Sequence, residues 1–101
     1  MMREYVLKSW PTYFEGLWTK NKVAEIRKDD RGSGFMPGDL LILREYDPKT
    51  DKYSGREVHA KVLYVQYGIG LQDGYAALSL EILTRYVDGE WVDLKLQGRG
   101  L

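Results

Sequence analysis

With 101 residues, 44% hydrophobic and 30% charged, the chain has the profile of one soluble globular domain with a modest core. Fifteen Lys/Arg balance fifteen Asp/Glu, which excludes a protein that binds nucleic acid through bulk positive charge. The absence of cysteine and the presence of one histidine, His59, exclude disulfides, thiolate chemistry and multi-histidine metal sites, so neither a metal nor a cofactor is expected.

The opening MMREYVLKSW has no long apolar stretch, so no signal peptide is expected. No apolar run approaches the roughly 20 residues of a membrane helix, and a cytoplasmic location with no membrane partner is the expectation. Tyr5–Lys8 reads as a first strand. Pro11 then precedes Thr12-Tyr13-Phe14-Glu15, which has the capping-box form with Thr12 as N-cap; a helix is predicted over roughly 12–20, with Tyr13, Phe14, Leu17 and Trp18 on one face. Val23–Lys28 alternates and carries β-branched Val23 and Ile26, which predicts a strand. Residues 29–39 read as loop closing on Pro37-Gly38-Asp39, Leu40–Tyr46 as a buried strand, and 47–55 as a polar hairpin loop. The alternation over 56–67 predicts a strand with Val58, Ala60, Val62 and Tyr64 on one face and Glu57, His59 and Lys61 on the other. Gly68, Gly70 and Gly74 punctuate a connection, without the spacing or the following helix of a dinucleotide fingerprint. A strand over Tyr75–Leu83 follows, and Asp88-Gly89 between two alternating runs signals a terminal hairpin. One early helix and five or six short strands predict an α+β, mainly β domain built on a small, strongly curved sheet or barrel.

Candidate chemistry concentrates in KNKVAEIRKDDR, residues 20–31. On a strand Glu25 and Arg27 point to one side about 7 Å apart, within pairing range, and Lys22, at the helix-to-strand junction, can turn the same way. Two readings stay open for this trio: a surface ion-pair ladder contributing at most about 1 kcal/mol, or a polar pocket in which Arg27 binds an anion or orients Glu25. His59, between Glu57 and Lys61, reads as a surface residue. Trp10, Tyr13, Phe14 and Trp18 cluster around the helix; most are expected in the core, with some available as a stacking platform for a base.

KNKVAEIRKDDR, followed by GDLLILREYDPKTDKYSGREV and GYAALSL, resembles the DUF3850 family of phages and bacteria, a branch of the ASCH superfamily whose fold is similar to the PUA domain. The likeness runs from about Tyr5 to Leu83. The superfamily hallmark is G-x-K-x-x-E-x-R; Lys22, Glu25 and Arg27 fill its last three named positions, and Lys20 stands where the hallmark has glycine, a departure expected to loosen the turn into the strand. The resemblance implies a single domain over 1–101, with a family-like core at about 5–83 and an extension at 84–101. It also implies a small PUA-like β-barrel with one N-terminal helix and a cleft beside the helix; the hairpin signalled by Asp88-Gly89 would be a C-terminal extension outside the resemblance.

The first functional expectation from this resemblance is a non-catalytic module that binds single-stranded RNA, a nucleotide or a modified nucleoside. Lys22, Glu25 and Arg27 would read one unstacked base, and Arg27, Lys28 and Arg31 would hold its phosphate. The alternative is a small amidohydrolase acting on N4-acetylcytidine, as in one branch of the superfamily, with Lys22 and Glu25 as the acid–base pair. That branch has threonine at the position of Glu25, and its later acid falls in an insertion that here is only GIGLQDG, with Asp73 as the sole candidate. A third expectation is a phage accessory protein that acts on a host protein.

Overall fold

The computed structural model describes residues 2–21, 23–28, 34–68 and 70–92. They form strand β1 (Glu4–Ser9), helix α1 (Pro11–Trp18), and strands β2 (Ala24–Lys28), β3 (Leu40–Asp47), β4 (Lys52–Tyr67), β5 (Tyr75–Val87) and β6 (Glu90–Trp91). All six strands belong to one sheet with the order β1-β3-β4-β5-β2, and β6 adds to the far half of β5. The β1/β3 pair is parallel and the others are antiparallel. The sheet curls into a half-barrel, so the mainly β, barrel-like architecture read from the alternating segments is the one observed.

Two bulges help to bend the sheet. Opposite β5, Val62 faces Leu80 and Tyr64 faces Ser79, which leaves Leu63 as an extra residue of β4. Farther along, His59 faces Thr84 and Ala60 faces Ile82, which leaves Leu83 as an extra residue of β5. An added residue increases local twist and inverts the in/out alternation beyond it. This corrects one face assignment: Val58, Ala60 and Val62 are fully buried, but Tyr64, beyond the bulge, is 58% exposed and Val65 turns toward the core instead. The bulge at Leu83 bends β5 without ending it, so the strand runs four residues past the predicted end at Leu83.

The core is the concave face, with Leu7, Leu41, Leu43, Val58, Val62 and Leu78 from the strands and Phe14 and Leu17 from α1. Tyr13, assigned to the same helical face, is exposed. Positions 14 and 17 lie at the centre of the apolar arc, whereas 13 and 18 flank it, and only Trp18 of those two packs against the core.

The helix start also differs from the capping-box expectation. Trp10 is the N-cap, with Pro11 next to it, and no side chain caps the first turn. Proline suits the first helical position because its fixed φ is helical and its missing N–H needs no partner there. It thereby draws the N-cap two residues earlier, from Thr12 to Trp10, and moves Thr12 inside. Glu15 reaches Arg56 instead, at 2.9 Å.

The helix ends at Trp18, and Lys20 follows in the left-handed region at φ 64° while its N–H bonds to the Leu17 carbonyl. A residue with φ > 0 just past a helix is the usual place of glycine. Lys20 thus occupies a turn position at which glycine would adopt the same backbone without a side-chain penalty. Lys20→Gly is expected to stabilise the fold by about 0.5–1 kcal/mol, measured as a raised urea midpoint with an unchanged slope.

The loop predicted over 47–55 is shorter than expected, because Tyr46 pairs with Tyr53 and Asp47 with Lys52. The turn itself is closed by the Lys49 N–H donating to Asp47 Oδ1 (2.9 Å), the Asp51 N–H donating to the Asp47 carbonyl (2.8 Å), and Asp51 at φ 57°. The predicted terminal hairpin is present, with Tyr86 opposite Trp91, Val87 opposite Glu90, and both Asp88 and Gly89 at positive φ. The tip of that hairpin docks on Gly55 (φ 95°), whose carbonyl accepts the Asp88 N–H at 2.8 Å and whose missing Cβ leaves room for the Asp88 carboxylate.

Candidate functional site

The alternation of β2 sets the site. Ile26 and Lys28 are exposed, whereas Glu25 is 5% exposed and Arg27 is half-buried on the opposite side. The Arg27 Nε–H donates to Glu25 Oε2 at 2.7 Å, and Arg27 Nη2 donates to the Lys8 carbonyl at 2.7 Å. The first bond fixes the carboxylate. The second crosses from β2 to β1, the two strands at opposite ends of the sheet order, so a single side chain spans the open seam of the half-barrel. Burial of Glu25 removes it from the class of exposed surface pairs.

Around this seam lies an open cleft of about 790 Å³. Its walls are the end of β1 (Lys8, Ser9), the entry and first turn of α1 (Trp10, Tyr13), β2 (Glu25 to Lys28) and Tyr75 at the start of β5. Trp10 and Tyr13 are 53% and 57% exposed, in contrast to Phe14 and Trp18, whose rings stack on each other at 6.0 Å over the core. The aromatic cluster thus divides into core and cleft wall. Ser9 is 2% exposed, and its hydroxyl has no hydrogen-bond partner.

Of the residues singled out in the sequence, Glu25, Arg27 and Lys28 line this one cleft. Lys22 and Arg31 lie outside the described residues. Ser9, Trp10, Tyr13 and Tyr75 join them from elements distant in sequence. Lys8 contributes to the wall, but its Nζ sits 4.3 Å over the Tyr46 ring. His59 is half-buried and not simply a surface residue: its ring lies 4.5 Å from that of Tyr86 and its Nε2 is 3.2 Å from Glu57 Oε1, and it does not line the cleft. Among the described residues no group of three or more His, Asp or Glu could hold a metal ion.

A second polar cluster supports the cleft from below, and sequence reading missed it. Glu45, on β3 and nearly buried, accepts Arg56 Nε at 2.8 Å, Arg56 Nη2 at 3.0 Å and Ser54 Oγ at 2.6 Å. The same guanidinium lies over the Phe14 and Trp18 rings at 5.2 and 4.8 Å and donates to Glu15. From the other side, Arg85 lies 5.2 Å over Trp18 and donates to its carbonyl at 2.9 Å. Together they clamp α1 to the sheet and so hold Trp10 and Tyr13 at the cleft. The Arg56 hydrogen bonds hold the Glu45 carboxyl below its ordinary value, against the opposing effect of burial, and the Ser54 hydroxyl adds to the lowering.

The arrangement offers an acceptor-only carboxylate fixed by a guanidinium, a hydroxyl without a partner, exposed aromatic faces and a surface lysine. Such a set is chemically suited to a flat polar molecule, through stacking and edge hydrogen bonds.

A family model described as a domain of unknown function (DUF3850) matches residues 5–80, most of the chain, and the chain belongs to that family. A search of curated proteins finds no match.

Proposed function

We propose that this DUF3850 member binds one unstacked nucleobase, in single-stranded RNA or as a nucleotide or nucleoside, in the cleft between β1, α1 and β2. The observation that carries the reading is a buried carboxylate, Glu25, held by Arg27 in a cleft that exposed Trp10 and Tyr13 also line. The rings supply stacking and the carboxylate accepts from base N–H groups. Arg27 and Lys28, with Arg31 and Lys22 beside them in sequence, supply the positive charge for a phosphate. The likeness of the charged trio to the ASCH hallmark, and of a curled sheet with a cleft to a PUA-like fold, supports the same assignment. Among the described residues no helix is long and apolar enough to cross a membrane.

Stacking contributes about 1–3 kcal/mol per base, and a hydrogen bond to a charged group about 1.5–3 kcal/mol. Those sums place the affinity between roughly tens of micromolar and about ten millimolar. A base inside a duplex is shielded from such a cleft, and a neutral protein gains little from the phosphate field. Titration of a labelled single-stranded RNA and its duplex at two salt concentrations is expected to show preference for the single strand. The salt slope should be shallow, matching one or two phosphate contacts. Equal binding of both forms with a steep slope would refute the cleft as the binding site. Binding of neither form, with a host protein recovered in pull-downs, would favour a protein partner.

A further inference from the structure

Among the described residues, Ser9 Oγ is the one buried side-chain oxygen or nitrogen without a hydrogen-bond partner. An unsatisfied buried hydroxyl costs roughly 1–3 kcal/mol, and such a group calls for a specific reason. Ser9 lies in the cleft wall directly after Lys8, whose carbonyl receives the Arg27 guanidinium. The hydroxyl is therefore shielded from water beside the point where the strap from β2 lands on β1. It lines the cleft to which the base is assigned above.

We infer that Ser9 is a ligand-contacting residue, reached when Arg27 releases the Lys8 carbonyl and takes a ligand phosphate, so that the cleft favours a nucleoside monophosphate unit over the bare nucleoside. This rests on the reading above that the cleft holds a base. The exchange is favourable because Arg27 gives up a bond to a neutral carbonyl for one to an anion, and charge-assisted, bidentate contacts of guanidinium with phosphate are shorter and stronger. The bond from Arg27 Nε to Glu25 at 2.7 Å tethers the guanidinium at the cleft while its Nη2 changes partner. A bare nucleoside has no group to draw Arg27 away, and so reaches Ser9 only at the expense of the Lys8 bond. The hydroxyl then serves as donor or acceptor to the base edge.

The test is calorimetric titration of wild-type protein and Ser9→Ala with the four ribonucleoside 5′-monophosphates and their nucleosides, together with the melting temperature of each ligand-free protein. For the best-bound base the monophosphate is expected to bind wild type at least about tenfold more tightly than its nucleoside. Ser9→Ala is expected to weaken the monophosphate by about five- to tenfold while leaving the ligand-free melting temperature unchanged or raised, since it deletes an unsatisfied group. A hydroxyl with a merely structural role would give the reverse pattern, lowered stability with unchanged affinity, and would overturn the inference. Equal affinity for nucleoside and monophosphate would also overturn it, without any variant having to fold. Either result with wild-type binding intact leaves the base-binding reading standing. Failure of wild type to bind any of the eight compounds or single-stranded RNA removes both.

Discussion

Arg56→Ala is expected to destabilise the fold by about 3–5 kcal/mol, the cost of stranding a nearly buried carboxylate without its partner. Glu45 is 9% exposed at its side chain and Arg56 25%, and three hydrogen bonds converge on the carboxylate from Arg56 and Ser54. The variant also loses the guanidinium packed on Phe14 and Trp18 and the bond to Glu15. A domain of this size has only about 5–15 kcal/mol of stability in total, so a large part of it rests on one residue. Urea unfolding measures the loss. Arg56→Lys should recover only part of it, because an ammonium cannot reproduce the planar fork. A loss below about 1 kcal/mol would show that the cluster is solvated in solution.

The same pair predicts acid sensitivity with a definite sign. Glu45 has a lower pKa in the folded chain than its ordinary value of 4.5, so its contribution is complete above that value and is lost as pH falls through the folded pKa. The hydrogen bond to Glu45 shifts Arg56 upward, so its own contribution is constant over the working range. In Arg56→Ala, where burial outweighs the remaining Ser54 bond, the acid-side loss contributed by Glu45 should disappear, so the stability gap between wild type and variant should narrow as pH falls.

Glu25→Gln is expected to weaken binding of a single-stranded RNA or nucleotide by roughly 10- to 100-fold, since a hydrogen bond from a base N–H to a carboxylate contributes about 1.5–3 kcal/mol. Stability should change by no more than about 1 kcal/mol: the amide keeps the shape and an oxygen for Arg27 Nε, and Arg27 retains the Lys8 carbonyl. The comparison of affinity with melting temperature separates a binding role from a structural one. Unchanged affinity together with a large fall in stability would make Glu25 a structural residue.

The strands and the hairpin were legible because alternation, β-branching and the Asp88-Gly89 pair are local signals. So was the Glu25–Arg27 pair, which needs only the two-residue period of a strand. Tyr64 was misassigned because a bulge depends on the partner strand, and nothing in residues 56–67 alone marks Leu63 as the surplus residue. Thr12 was misassigned because two local rules competed, and Pro11 at the first helical position outweighed the capping box. Ser9 and Tyr75 were not legible as cleft residues, and Trp10 only as one of four candidate stacking rings, because the parallel pairing of β1 with β3 and the placing of β2 on β5 bring them together over long stretches of sequence. Arg56 gave one clue, its place among alternating charges near a glycine, but its partners Glu45 and Glu15 lie on other elements.

The order of strands also sets where the protein opens first. β3, β4 and β5 follow one another and pair as neighbours in sequence, whereas β1 and β2 join the sheet through distant partners, Glu4 with Leu40 and Glu25 with Leu78. Closing those long loops costs entropy that the central meander does not face. Amide hydrogens of β1 and β2 should therefore exchange with solvent deuterium through partial openings, while those in the middle of β4 wait for global unfolding. Because Arg27 ties precisely these two outer strands together, a ligand held between them would slow exchange in both at once. It would leave β4 almost unaffected, so deuterium uptake can locate the bound molecule even before its identity is known.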